Sequence, residues 1–416
     1  MSPPARHLFE GCGLEIEYML VDAGGLDVAP IADRVLQALG DSDRPVSSFS
    51  RNGIGWSNEL VLHVLELKNE QPSCDLDTLS RDLQREVVRM NAMLQSFGAR
   101  LLPGGMHPWM DPRTQARLWP HQNAEIYATY DRIFDCRRHG WANLQATHVN
   151  LPFAGDREFA RLHAALRLIV PILPAIAAAS PFAAGAVAPA ADYRLRVYRD
   201  NSDAVPQLTG DVVPEAVAGR AEYEQRVLAP MYDAIAPHDP DCVLRHEWLN
   251  SRGLIARFDR DALEVRVIDA QECPRMDVGI AAVVHDLAQA LCDGRLGYVA
   301  IDRQLPATAL AVILDECART ADRAPIRDAG YLQVLGVDPC GGIDAGQLWD
   351  RLLDRLDDPS SRHRDVWREP VALLRRRGPL ARRLLQAVGP RPDREDLRAL
   401  YRALADALAR GEPFVP

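Results

Sequence analysis

Residues 13–22, GLEIEYMLVD, alternate as a strand does, with Leu14, Ile16, Tyr18 and Leu20 on one face and Glu15, Glu17 and Met19 on the other. Residues 58–69, NELVLHVLELKN, are rich in branched and apolar side chains and predict a second strand. A third is expected at 145–151, where His148 and Asn150 share a face with Ala146, and a short one at 99–103. Residues 263–269, LEVRVID, predict another, with Val265 and Val267 facing one way and Glu264 and Arg266 the other. Helical spacing covers 31–39, 76–101 behind the cap Asp75, 156–179, 276–291 and 393–410, and the chain beyond about residue 343 reads as helical. Polar loops are expected at 40–52 and before Pro214, and Gly104–Pro108, GGMHP, reads as a turn holding a histidine.

The apolar run 168–188 carries Pro171, Pro174 and Pro181 and is mostly alanine, so it reads as a buried helix ending near Ser180 rather than a membrane span. A chain of 416 residues has ample core, and we expect one compact unit, with a catalytic portion over 1–300 and a mainly helical portion over 301–416. Net charge of −10 argues against a nucleic-acid partner. Lys68 is the sole lysine among 48 basic residues, which leaves no P-loop lysine. Eight cysteines, Cys340 among them, stand singly with no CxxC, and no secretory h-region opens the chain, so a reduced, cytoplasmic protein is expected. Homo-oligomer formation is left open.

Two carboxylates two apart on a strand point the same way, so Glu15 and Glu17 repel. Burying both costs on the order of several kcal/mol unless a cation lies between them. A hard divalent metal solves this with oxygen ligands, and a solvated edge strand is the simpler alternative. Glu59 and Glu66, seven apart, fall on opposite faces of a regular strand and need a bend to meet. Lys68 shares a face with Glu66 and offers it an ion pair. Arg194, Arg196 and Arg199 cluster before a loop, as a phosphate or carboxylate site or as a solvated surface. Glu264 and Arg266 are an ion pair, or a metal ligand beside a phosphate-binding arginine. No HExxH, GxGxxG or GxSxG is present.

The ordered set GLEIEYMLVD, ELVLHVLELK, LLPGGMHP, THVNLPF, ASPFAAG, DYRLRVYRDN and LEVRVIDAQECP, with GPLARRLLQAVG near the end, resembles the carboxylate-amine ligases typified by bacterial glutamate-cysteine ligases, the second family in particular. That resemblance implies an α+β, glutamine synthetase-like fold: a curved antiparallel sheet forming an active-site cup, with helices on its outer face. It implies ATP and Mg2+ or Mn2+, and an amide bond, γ-glutamyl in many such enzymes, made from small-molecule acid and amine substrates. Glu15, Glu17, Glu59, Glu66, His148 and Glu264 correspond to the family's metal ligands, with Glu15 and Arg266 as catalytic groups. Arg266, Arg194 and Lys68 correspond to groups meeting phosphate. Asp192 stands where the family often has serine, and Lys68–Asn69 where a threonine is common, so the substrates need not be glutamate and cysteine. Two other classes fit the same fold: a phosphotransferase, which would release no amide, and a binding protein that has lost the chemistry.

Overall fold

The computed structural model describes residues 6–296, 305–338 and 342–416; Cys340 and the expected boundary at 300/301 lie outside them. Its centre is an eight-stranded antiparallel sheet made of β1 (Gly13–Asp22), β2 (Ser48–Arg51), β3 (Ile54–Asn58), β4 (Val64–Asn69), β5 (Ala99–Leu102), β6 (Ala146–Pro152), β7 (Leu254–Arg257) and β8 (Ala262–Asp269). The order is β2-β3-β4-β1-β6-β8-β7, and β5 pairs the far half of β1. β1 therefore lies inside the sheet, flanked by β4 and β6.

The two faces differ because the strands alternate. Leu14, Ile16, Tyr18 and Leu20 enter the main core. Helices α2 (Leu76–Leu94), α4 (Gly155–Ile169) and α6 (Pro274–Cys292) cover that face, and α6 packs on β1, β6, α2 and α4. The opposite face carries Glu15 and Glu17 and then turns apolar at Met19 and Val21. There a second core forms with α8 (Leu380–Val388) and α9 (Arg394–Arg410), through Leu384, Leu397, Tyr401 and Leu404. The tail is tied down by a fully buried ion pair, Arg383 with Glu272, and Arg383 also donates to the carbonyl of Phe414. No helix among the described residues is long and apolar enough to cross a membrane.

Several expectations are corrected. The run 58–69 is not one strand: β3 ends at Asn58, the chain reverses, and β4 begins at Val64 with Asn58 opposite Leu65. The expected loop 40–52 contains β2, joined to β3 by Asn52 and Gly53 at φ of 52° and 80°, the positive values a tight hairpin turn requires. The helix beginning at Leu76 ends at Leu94 rather than Leu101, because Gly98 takes a left-handed conformation and β5 follows; Asp75 caps it by accepting from the Thr78 amide. The expected helix 156–179 is broken near Pro171 and Pro174 into α4, a 3-10 turn and Pro174–Ala177. The segment around 192–201 is a helix, α5 (Tyr193–Arg199), capped by Asp192.

GGMHP is structural. A Cβ on Gly105 would lie 2.5 Å from the Asp269 carboxylate, so the chain passes there only as glycine. The fully buried His107 places Nε2 2.7 Å from the Leu26 carbonyl, while its Nδ1 accepts from the Met110 amide at 3.0 Å, an arrangement only the neutral ring satisfies. Burial pushes His107 down to about 4, and likewise His63, whose Nε2 lies 2.8 Å from the Ala142 carbonyl. The unfolded chain takes up these protons below its ordinary value of about 6.5, whereas the folded chain resists until about 4. Their contribution to stability is therefore complete above about pH 6.5 and declines as pH falls toward 4, on the order of 3 kcal/mol per ring. Thermal melts from pH 7.5 to 4.5 should show Tm falling through this window; a Tm flat to pH 4.5 would contradict it.

Candidate active site

Cross-strand register assembles the acidic face row by row. Glu17 stands opposite Glu66, and Glu66 opposite Ser57. Glu15 stands opposite Lys68 on one side and His148 on the other. Asn150 stands opposite Glu264. Partners in one row share a face, as do residues two apart, so the side chains of Glu15, Glu17, Glu66, His148 and Glu264 converge. A register shift between Val265 and Ile268 breaks the regular β6–β8 ladder beside Arg266, whose amide bonds the Gly253 carbonyl at 2.9 Å. Glu59 arrives from the reversal after β3 and borders the same cavity, about 370 Å³ in volume. The bend that Glu59 and Glu66 required is this reversal.

The polar contacts are dense. His148 Nδ1 lies 3.3 Å from Glu15 Oε2 and 4.0 Å from Glu264 Oε1. Arg266 Nε lies 3.2 Å from Glu264 Oε1. Lys68 Nζ is 2.8 Å from Glu66 Oε1, which also accepts from Ser57 Oγ at 3.0 Å. The expected Lys68–Glu66 pair thus exists, inside the acidic cavity. Arg194 is placed differently from the expected arginine cluster. It is buried, paired with Asp269 and near the Arg266 carbonyl, while Arg199 turns away to Asp315 and Arg196 is exposed. Asp269 is held in turn by Ser180 Oγ and the Ala179 amide, both at 2.7 Å.

Sequence reasoning missed Arg257 and Arg260, which flank the β7–β8 hairpin. Arg257 Nη1 lies 3.0 Å from Glu264 Oε2, and Arg260 Nη1 3.2 Å from Glu15 Oε1. The phrase RFDR, two residues before LEVRVID, was the available signal. It also missed the aromatic wall of an adjoining cavity, to which Tyr127 and Tyr130 come from one helix (Ala124–Phe134) and Trp141 and Trp248 from two further segments.

Charge balance in the cavity is uneven. Burial raises the Glu15 carboxyl, but the His148 hydrogen bond and the charges of His148, Arg260 and Lys68 outweigh it and hold Glu15 well below the carboxylate range. Burial raises Glu17 and repulsion from Glu66 adds to it, while the charge of His148 and the 2.6 Å bond from the Ala146 amide offset them only in part. Glu59 is pushed far up, by burial first and then by Glu66 and Glu17, with Lys68 offsetting only part, and its carboxyl has no hydrogen bond or close ion pair among the described residues. Burial opposes the charge on His148, yet the surrounding acids raise it overall. Donor atoms of Glu15, Glu66 and His148 all lie within 4.8 Å of one another. Oxygen-rich donors, one imidazole and carboxylates short of cations fit a hard divalent cation.

A glutamate–cysteine ligase from Francisella tularensis, solved in complex with AMP, superposes with a TM-score of 0.59 at 11% identity, covering 95% of this chain and 88% of that one. The architecture is thus that of the glutamine synthetase-like ligases. The chain belongs to glutamate-cysteine ligase family 2, whose model matches residues 12–403. An uncharacterized protein of Archaeoglobus fulgidus is 30% identical over 403 residues, 97% of this chain and 100% of its own. A Rubrobacter xylanophilus protein named "Putative glutamate--cysteine ligase 2-3" is 28% identical over 190 residues, 45% of this chain and 47% of its own.

If the acidic face takes a divalent ion, Mn2+ added to chelator-treated protein should raise Tm, by about 2.7 kcal/mol of stabilisation at one hundred times Kd. Glu66→Gln and His148→Ala should weaken that binding at least about tenfold. Equal Tm shifts in the wild type and both variants would remove these residues from the metal set.

Proposed function

We propose that the protein is an ATP-dependent carboxylate–amine ligase that forms an amide through an acyl phosphate. The observation that carries this reading is the convergence of Glu15, Glu17, Glu59, Glu66 and Glu264 with His148 and Arg266 around one cavity. Family membership supports it, and so does the fold shared with a ligase solved with AMP.

Joining a carboxylate to an amine requires activation, since the carboxylate is a poor electrophile. The carboxylate oxygen attacks the γ-phosphorus of ATP, the bond to the bridging oxygen breaks, and ADP leaves. The amine then attacks the acyl carbon, loses a proton, and inorganic phosphate departs with the acyl oxygen. In both steps anions are brought together, so positioned positive charge does most of the work. Arg266 is the cation best placed for this. It borders both cavities, is held by Glu264, and lies 3.3 Å from the Asn250 carbonyl, so its fork is fixed before substrate arrives. Arg257 and Arg260 add charge along the same wall. Glu15, Glu66 and His148 would hold Mg2+ or Mn2+, with Glu17, Glu59 and Glu264 at hand. When bound, the ion would neutralise triphosphate charge and draw electron density from the transferred phosphorus. Arg194 keeps its guanidinium on Asp269 and acts here by shaping the wall behind Arg266.

Release of ADP should require a carboxylate and an amine together, with one phosphate freed per amide formed. Glu15→Gln and Arg266→Lys should each lower kcat by about 100-fold or more. ADP release that needs only one substrate, or full turnover in Glu15→Gln, would overturn the reading.

A further inference from the structure

A second group of metal-ligating side chains lies behind the sheet, on the face away from the acidic cavity. His285 and Asp286 are on α6, and His363 immediately precedes the helix Arg364–Arg377, which packs on α6. The two helices run close together: a Cβ on Gly279 would lie 2.6 Å from Pro370. One nitrogen from each imidazole and one Asp286 oxygen all lie within 4.8 Å of one another. His285 and Asp286 are 0% exposed and His363 is 5% exposed.

Hydrogen bonding does not satisfy this group. Asp286 accepts from Trp367 Nε1 at 2.9 Å and from the His363 amide at 3.0 Å, and its Oδ1 lies 3.2 Å from His285 Nδ1. No lysine or arginine pairs with it among the described residues, so a buried carboxylate is left without a permanent cation. The other nitrogen of His285, Nε2, is buried with no hydrogen-bond partner among the described residues. With Nδ1–H on Asp286, it is the Nε2 lone pair that goes unmet. The His363 ring packs edge-on against His285 with centroids 4.5 Å apart, and its nitrogens make no hydrogen bond among the described residues. Two buried imidazolium rings at that distance would repel, so neutral rings fit, each with a lone pair to give. A dication answers these needs together, since it neutralises Asp286 and takes up both lone pairs.

We propose that His285, Asp286 and His363 bind a divalent transition ion of the Zn2+ class, and that this ion clamps the C-terminal helices onto α6. The inference stands apart from the ligase reading. This donor set is rich in nitrogen and the acidic cavity is rich in oxygen, so the two select different ions, Zn2+ or Co2+ here and Mg2+ or Mn2+ there. Donors around one tetrahedral ion stand about 3.3 Å apart, a spacing that side-chain rotation reaches from so tight a group. Water takes the fourth position, because no further histidine, cysteine or carboxylate joins the group among the described residues. Trp367 holds the carboxylate from behind, the outer support that metal ligands use. The clamp also reaches the start of the chain. Phe9 packs on His285 with centroids 5.2 Å apart, and Arg362 donates to the Phe9 carbonyl at 2.7 Å.

The test is Co2+ titration of chelator-treated, full-length protein in excess Mg2+, read by visible absorption. Tetrahedral Co2+ on nitrogen donors absorbs strongly, and octahedral Co2+ on oxygen donors weakly. The Glu66→Gln/His148→Ala double variant takes the acidic cavity out of the reading. One equivalent of Co2+ should give the band in the wild type and the double variant alike, and Zn2+ should displace it. His363→Gln should abolish the band. Asp286→Asn, which keeps an acceptor for the Trp367 indole, should weaken Co2+ binding at least about tenfold. Zn2+ should raise Tm in the wild type and the double variant but not in His363→Gln. Circular dichroism checks the fold of each variant, and His285→Asn replaces His363→Gln if the latter does not fold. A band lost in the double variant would return the ion to the acidic cavity and overturn the proposal. So would a band that survives both His363→Gln and Asp286→Asn, or the absence of any band in the wild type.

Discussion

Like-charged carboxylates held together against their repulsion are the constraint on which the rest of the structure depends. Two carboxylates about 4 Å apart repel by roughly 4 kcal/mol at the effective dielectric of a protein interior near its surface. Glu15, Glu17, Glu59, Glu66 and Glu264 share one cavity wall, so the backbone beneath them must be stiff enough not to splay. β1 supplies that stiffness because it lies inside the sheet, paired on both edges, with its reverse face locked into the main core by Leu14, Ile16, Tyr18 and Leu20. Cations at the rim, Lys68 on Glu66, Arg260 on Glu15 and Arg257 on Glu264, offset part of the repulsion. They leave Glu17 and Glu59 least compensated. A site built this way gives up stability for affinity toward positively charged ligands.

The layers behind the sheet follow from the same need. Helices α2, α4 and α6 press on one face, and α8 and α9 close the far end of the other, where β1 turns from Glu17 to Met19 and Val21. The site is thus a polar window left between two apolar cores. Gly105 passes so close to Asp269 that no side chain fits, and Asp269 in turn anchors Arg194 and Ser180. Through these contacts the GGMHP turn and helix α5 are referenced to the end of β8, the strand that carries Glu264 and Arg266. Buried polar networks of this kind are sensitive to the loss of any one partner, because the others are then left unsatisfied.

Strand residues were legible where the period-two signal was uninterrupted. β1 and β8 were read with their faces assigned, and so were His148 and Asn150 on β6. The reading failed where the chain turned without a break in hydrophobicity. Residues 58–69 carry apolar residues on both sides of the reversal and no Gly or Pro within it, so the turn between β3 and β4 was not marked in the pattern, and β2 was passed over in a polar stretch despite its Asn52–Gly53 turn. Arginines were the least legible residues. Arg194, Arg196 and Arg199 looked like one cluster and part into three environments, while Arg257 and Arg260 drew no notice and stand on the acids. A long side chain finds its partner across the fold, and spacing along the chain says little about where its charge ends.

The sequence alone determined which residues could carry the chemistry and in what order, because alternation along a strand is a local property and the motif order identifies the family. It determined that Glu15 and Glu17 share a face, since that follows from two-residue periodicity alone. Tertiary structure decided which acids meet. Glu66 stands opposite Glu17 only through the register of β4 against β1, and Glu59 joins them only through the reversal before β4. It alone decided that Tyr127, Trp141 and Trp248, far apart in the chain, form one wall beside those acids. Register and cavity shape are set by long-range packing, and no local pattern encodes them.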